Sequence, residues 1–237
     1  MSSHRLFRFV PGLMFALATT TLLAAESITL PIPPVRERET GWSSQAIGEM
    51  VFRYFRIPAW HAAGEYQCGV AAALMQGPDA TTCAKSCMRC DLRSGLPIEL
   101  ETMLEQYPKR LERHHNAAIT QIKAAEGPLA PSPGELRASL AAQRPVLALL
   151  GAQHGKPQVV LIVGCRDEGD TLLVLFNDPS FEPQDALWKN VGATAGPHPG
   201  SWWVKYSILR GPLDWDRSIS VSAAAEGEVP VTSGGPR

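Results

Sequence analysis

An α+β fold, with helices in the first half of the chain and a largely antiparallel sheet in the second, is what this sequence predicts. Three observations carry the prediction. Apolar residues between positions 41 and 141 recur at helical spacing, whereas from position 145 onward they gather into short Val- and Leu-rich runs of strand length. Those runs are separated by Gly, Asp and Asn rather than by further long helices, which favours antiparallel neighbours over parallel crossover units.

The chain has 237 residues, 45% of them hydrophobic and 19% charged, enough for one substantial core. Its formal net charge is −1 and its basic residues are scattered, which excludes the electrostatic footprint of a nucleic-acid binder. At the N-terminus His4, Arg5 and Arg8 precede an apolar stretch from Phe9 to Ala25, the pattern of a secretory signal peptide over residues 1–25. The expected location is therefore exported, periplasmic or secreted, with no membrane span left after signal cleavage. In an oxidising compartment thiols tend to pair, and five cysteines are an odd number.

Residues 26–40, "ESITLPIPPVRERET", hold three prolines and a mixed charge run, which suits an extended lead-in or an edge strand. A single domain is expected over 41–215. It opens on "GWSSQAIGEMVFRYF", where Ile47, Met50, Val51, Tyr54 and Phe55 share a helical face and Ser43 or Ser44 caps the start, with Pro58 as the stop. "QCGVAAALM" is short and Ala-rich, which predicts a buried helix beginning near Cys68. Over 96–127 one or two amphipathic helices are expected, interrupted at Pro108, with Ile98, Leu100, Met103, Leu104 and Leu111 as the apolar residues. In "SPGELRASLAAQ", Ser132, Pro133 and Glu135 form a helix-start signal.

The strand half follows: "RPVLALLGA", "QVVLIVGC", "TLLVLFND" and then "SWWVKYSIL". Trp202 and Trp203 are adjacent, so in a strand they face opposite ways, forming a rim of the core or the wall of a peptide groove. The end of the chain, 216–237, is expected to be a disordered tail, since "SAAAEGEVPVTSGGPR" lacks large apolar residues.

Cys68 is the residue with the most chemistry to offer. A helix start favours thiolate over thiol through its free N–H groups and its dipole. A thiol nucleophile also needs a base within reach and a third group to orient that base, usually from distant parts of the chain. "HGKPQVVLIVGC…LLVLFNDPS" has the shape to supply both, because adjacent antiparallel strands bring the start of the first beside the end of the second.

Read together, "QCGVAAALM", "LRASLAAQRPVLALL" and "QVVLIVG…VLFNDP" resemble the papain-like cysteine peptidases of the bacterial kind that includes the double-glycine leader peptidases, peptidase family C39-like. The resemblance covers roughly residues 66–181. It implies a papain-like fold with the nucleophile helix packed on the sheet, action on peptide bonds through Cys68, an orienting Asp178, a peptide or protein as substrate or partner, and neither cofactor nor metal. The position that the family gives to its histidine is occupied by Gln158, which cannot exchange a proton near neutral pH. The family's oxyanion glutamine falls on Ala62 or Ala63. His154 is the possible substitute base and His61 a possible oxyanion donor, while His114 and His115 read as a solvated helix face. Because the base is missing, the resemblance also implies a second outcome, a degenerate module that binds a peptide or partner protein without cleavage.

Cys83, Cys87, Cys90 and Cys165 are the disulfide candidates. Spacings of four and three would also place Cys83, Cys87 and Cys90 on one helical face for a metal, and "CMRC" would suit a thiol-disulfide protein. A bridge within the cluster is the preferred pattern, with the third cysteine bonded to Cys165 or left as a thiol and Cys68 the leftover nucleophile. Oligomeric state is not legible in the sequence.

Overall fold

The computed structural model describes residues 27–60, 65–74, 83, 90, 99–127, 129–151, 158–180 and 185–224. In chain order these form β1 (Ile28–Thr29), α1 (Ser43–Tyr54), α2 (Tyr66–Leu74), α3 (Leu100–His115), β2 (Ile122–Gly127), α4 (Pro133–Ala141), β3 (Val146–Leu150), β4 (Gln158–Glu168), β5 (Thr171–Asn177), α5 (Asp185–Asn190), β6 (Thr194–Ala195), β7 (Ser201–Lys205), α6 (Tyr206–Arg210) and β8 (Trp215–Ala223). The strands make one sheet in the order β2-β8-β3-β4-β5-β7-β6, with β1 added beside β4, and every pair is antiparallel. The α+β class read from the change of period therefore holds. The presumed signal peptide and the last thirteen residues lie outside the described residues.

Helix α1 is central because its sequence allows burial almost all round. Residues 45–52 are buried in succession, with Ile47, Met50, Val51 and Phe52 carrying the apolar load. It packs against α2 and α3 and against β4 of the sheet. α2, buried from Gln67 to Leu74, is the Ala-rich core helix that the sequence predicts. Its Gly69 is required by packing, since a Cβ there would sit 2.7 Å from the Cβ of Trp60. At α4 the start signal is realised as a full capping box: the Ser132 hydroxyl accepts from the Glu135 N–H and the Glu135 carboxylate accepts from the Ser132 N–H at 2.7 Å.

Five expectations need correction. α3 runs unbroken through Pro108, which forgoes one backbone bond while its ring is buried with Met103, Leu104, Tyr107 and Leu111. Helix then gives way to strand at Asn116, which takes a left-handed cap at φ 48°, and Ile122 and Ala124 alternate inward as β2. "SWWVKYSIL" is a strand only as far as Lys205, after which Tyr206–Arg210 turn into helix. The tail expected from 216 does not hold for residues 216–223. Residues to Ala223 are a strand, because Ile219 and Val221 alternate inward and β8 pairs with both β2 and β3. Finally, neither Ser43 nor Ser44 caps α1; the cap position is Trp42, with no side-chain cap bond.

The lead-in is a fastened strap. Ile28 and Thr29 pair with Cys165 and Gly164 of β4, on the edge that β3 leaves beyond Ile162. Leu30 donates its N–H to the Val163 carbonyl at 2.7 Å, and Asn177 at the end of β5 donates to the Ile32 carbonyl at 2.8 Å. On the helical side, the buried Gln67 amide of α2 donates to the Arg36 carbonyl and accepts from the Arg38 N–H, both at 2.9 Å. Residues 28–38 thus tie the helices to the sheet.

Candidate functional site

The sheet half of the site is built by β4 and β5. β4 opens on Gln158 and β5 closes on Asn177, so their antiparallel pairing brings the first residue of one beside Asp178 at the end of the other. Gln158 Nε2 donates to Asp178 Oδ1 at 3.1 Å. The two residues that the sequence resemblance singles out at the strand ends, Gln158 and Asp178, are therefore in contact. Asp178 is 1% exposed and accepts two further bonds, from the Trp188 indole N–H of α5 at 2.6 Å and from the Ser180 N–H at 2.8 Å. Burial pushes its carboxyl from an ordinary 3.8 up to about 6. The Trp188, Ser180 and Gln158 donors pull it down and the Glu37 charge adds to the rise.

The helix start that reaches this pair belongs to α1. Ser43, its first residue, lies with its hydroxyl 3.4 Å from the Ser180 hydroxyl and donates to the Glu37 carboxylate at 2.7 Å. Glu37 in turn donates its backbone N–H to the Pro179 carbonyl. Ser43, Glu37, Ser180, Asp178 and Gln158 form a continuous polar cluster where α1, the strap and the ends of β4 and β5 meet.

Cys68 stands elsewhere in chemistry and in place. It is the third residue of α2, which packs on α1 and α3, and it is 1% exposed rather than reachable by solvent. Its sulfur is in a disulfide. An oxidised sulfur has no thiolate to attack a carbonyl, so the expectation of a leftover nucleophile at Cys68 is corrected. Cys83 and Cys90 form a second disulfide, the bridge expected within the cluster. Cys83 Sγ lies 3.7 Å from the Cys68 carbonyl oxygen, against Ala71 and Ala72, so this staple sits on the back of α2. Cys165, expected as a possible bridge partner, is a buried thiol in β4 beside β1. With Cys83 and Cys90 oxidised, the metal reading of the cluster loses two of its ligands. Cys87, His61, Ala62, Ala63 and His154 lie outside the described residues. His114 and His115 are exposed at the end of α3, with Trp60 stacked on His114 at 4.2 Å.

No protein-family model matches this chain, and no curated protein matches it either.

Four participants were not singled out as site residues in the sequence: Ser43, Glu37, Ser180 and Trp188. The signal for Ser43 is present, since it opens a helix apolar enough to be buried along most of its length. A cysteine at the head of a second apolar helix drew the attention instead. Glu37 and Ser180 are brought in by the strap and by the turn after β5, and nothing in their own neighbourhoods marks them.

Proposed function

We propose that the chain is a papain-like module of peptidase ancestry that holds a peptide or partner protein without cutting it. One observation carries this reading: the carboxylate that would orient a catalytic base holds the amide of Gln158. A glutamine amide neither takes nor gives a proton near neutral pH. The other helix-start candidate, Ser43, offers its proton to Glu37, and a carboxylate is a weak base toward an alcohol, which needs a stronger partner to become a nucleophile. The oxidised state of Cys68 removes the thiol route. What remains is a set of oriented donors and acceptors on rigid elements, suited to binding extended backbone.

The test is a mixed decapeptide library with blocked ends, passed over the immobilised, unreduced protein and recovered for mass spectrometry. Retention of a subset of intact sequences is the expected result. New internal termini in the recovered peptides would overturn the proposal. If those termini disappeared in the Cys68→Ser variant, the exported cysteine peptidase would be the correct function.

A further inference from the structure

Beyond the polar cluster, α5 and the β6–β7 turn enclose a second feature, a cavity of about 580 Å³. That volume is within the range of small-ligand sites. Its lining includes Lys189, Gly196, Pro197, His198, Pro199 and Trp202. We infer that this pocket binds an apolar carboxylate, either the carboxyl terminus of a peptide or a free organic acid.

Three observations support the assignment. First, the wall is unbalanced in charge: it holds the Lys189 ammonium and the His198 imidazole, and no carboxylate among the described residues. Lys189 is exposed and makes no ion pair among the described residues, so its charge is available to an anion. Second, Trp202 is 5% exposed and its indole N–H has no hydrogen-bond partner among the described residues. Trp202 also lines the pocket, so a ligand bound there changes the surroundings of that residue. Third, the pocket is already shaped. Pro197 and Pro199 fix their backbone angles, and Ser201 closes the turn by donating its hydroxyl to the His198 carbonyl at 2.7 Å and accepting the His198 N–H at 3.0 Å. Gly196 admits no side chain, because a Cβ would lie 2.4 Å from the Ser201 hydroxyl. Little ordering entropy is then lost on binding. The prolines and alanines of the wall supply the apolar part of the recognition. The assignment goes beyond the reading of Gln158 and Ser43 and stands whichever way that reading falls.

The probe is N-acetyl-leucine, with N-acetyl-leucinamide as its uncharged match and a decapeptide ending in free leucine as the longer form. The readout is the indole N–H resonance of Trp202 in ¹⁵N-labelled protein, assigned by its loss in Trp202→Phe. Saturable movement of that resonance by the carboxylate is expected, with the amide and the Lys189→Met variant each weaker by about tenfold. Lys189 is exposed, so its variant keeps the fold and the test remains decisive even where Trp202→Phe is unstable. Tighter binding of the decapeptide names a chain terminus as the ligand, and equal or weaker binding names a free acid. A Trp202 resonance unmoved by all three probes at millimolar concentration, or affinity unchanged in Lys189→Met, overturns the assignment.

Discussion

Gln158 donates its side-chain amide to the buried carboxylate of Asp178 at 3.1 Å. An acid that would hold an imidazolium is thereby paired with a neutral group, and its own charge is left to three hydrogen bonds and a largely apolar surrounding.

The pH dependence of stability follows from that. The folded-state value of Asp178 is raised from 3.8 to about 6, so folding favours its protonated form. The associated stability is fully present below about pH 4 and is lost as pH rises to about 6. Two pH units correspond to at most about 3 kcal/mol. Urea unfolding of the protein and of Asp178→Asn, compared at pH 4 and pH 7.5, is expected to show the wild type losing ground to the variant on the order of 2 kcal/mol. A difference that stays constant with pH would rule out a titrating Asp178.

Trp188 gives the shortest of the bonds to Asp178, at 2.6 Å, and is itself fully buried. Trp188→Phe keeps most of the volume and removes the donor. It is expected to cost about 1–3 kcal/mol at pH 7.5 and less at pH 4, where the carboxyl is protonated. Chemical denaturation at the two pH values checks both the size and the direction.

The placement of Ser43 can be tested by restoring chemistry. Ser43→Cys combined with Gln158→His puts a thiol at the start of α1 and an imidazole against Asp178. The double variant is expected to react with iodoacetamide at pH 6 at least about tenfold faster than Ser43→Cys alone, because an imidazolium favours the thiolate. Equal rates would show that α1 and the strand ends do not cooperate.

Disulfide mapping checks the cysteines. Trypsin cuts after Lys85 and Arg89, and a second cut before Asp79 with an Asp-specific protease parts Cys68 from Cys83, so Cys68, Cys83, Cys87 and Cys90 fall in different peptides. The unreduced protein is expected to yield the Cys83 peptide linked to that of Cys90, and the Cys68 peptide only in disulfide-linked form. Cys165 should label only after unfolding. Replacing Cys83 and Cys90 together by serine is expected to cost about 2–3 kcal/mol for so short a loop. Labelling of Cys68 in the folded, unreduced protein would contradict its oxidised state.

Much of the fold was legible because its cause is local. The period change at residue 145, the capping box at Ser132 and the β4–β5 pairing that joins Gln158 to Asp178 all follow from neighbouring residues. What escaped the sequence depends on distant contacts. Pro108 stays helical because its surroundings bury it, and β8 is a strand because β2 and β3 flank it. Cys68 escapes for the same reason: its motif is local, but its oxidised state depends on a residue brought to it by the fold.

The strap carries one last consequence, for the order in which the chain can be completed. Asn177 holds the Ile32 carbonyl across 145 positions, and Glu37 is held by Pro179. Synthesis delivers residues 28–38 and Gln67 well before the sheet partners at Val163, Asn177 and Pro179. Until β4 and β5 have emerged, residues 28–38 have only the helical side, through Gln67, to dock on. The strap is therefore fastened in two stages, to α2 from early residues and to the sheet only through contacts of long sequence separation.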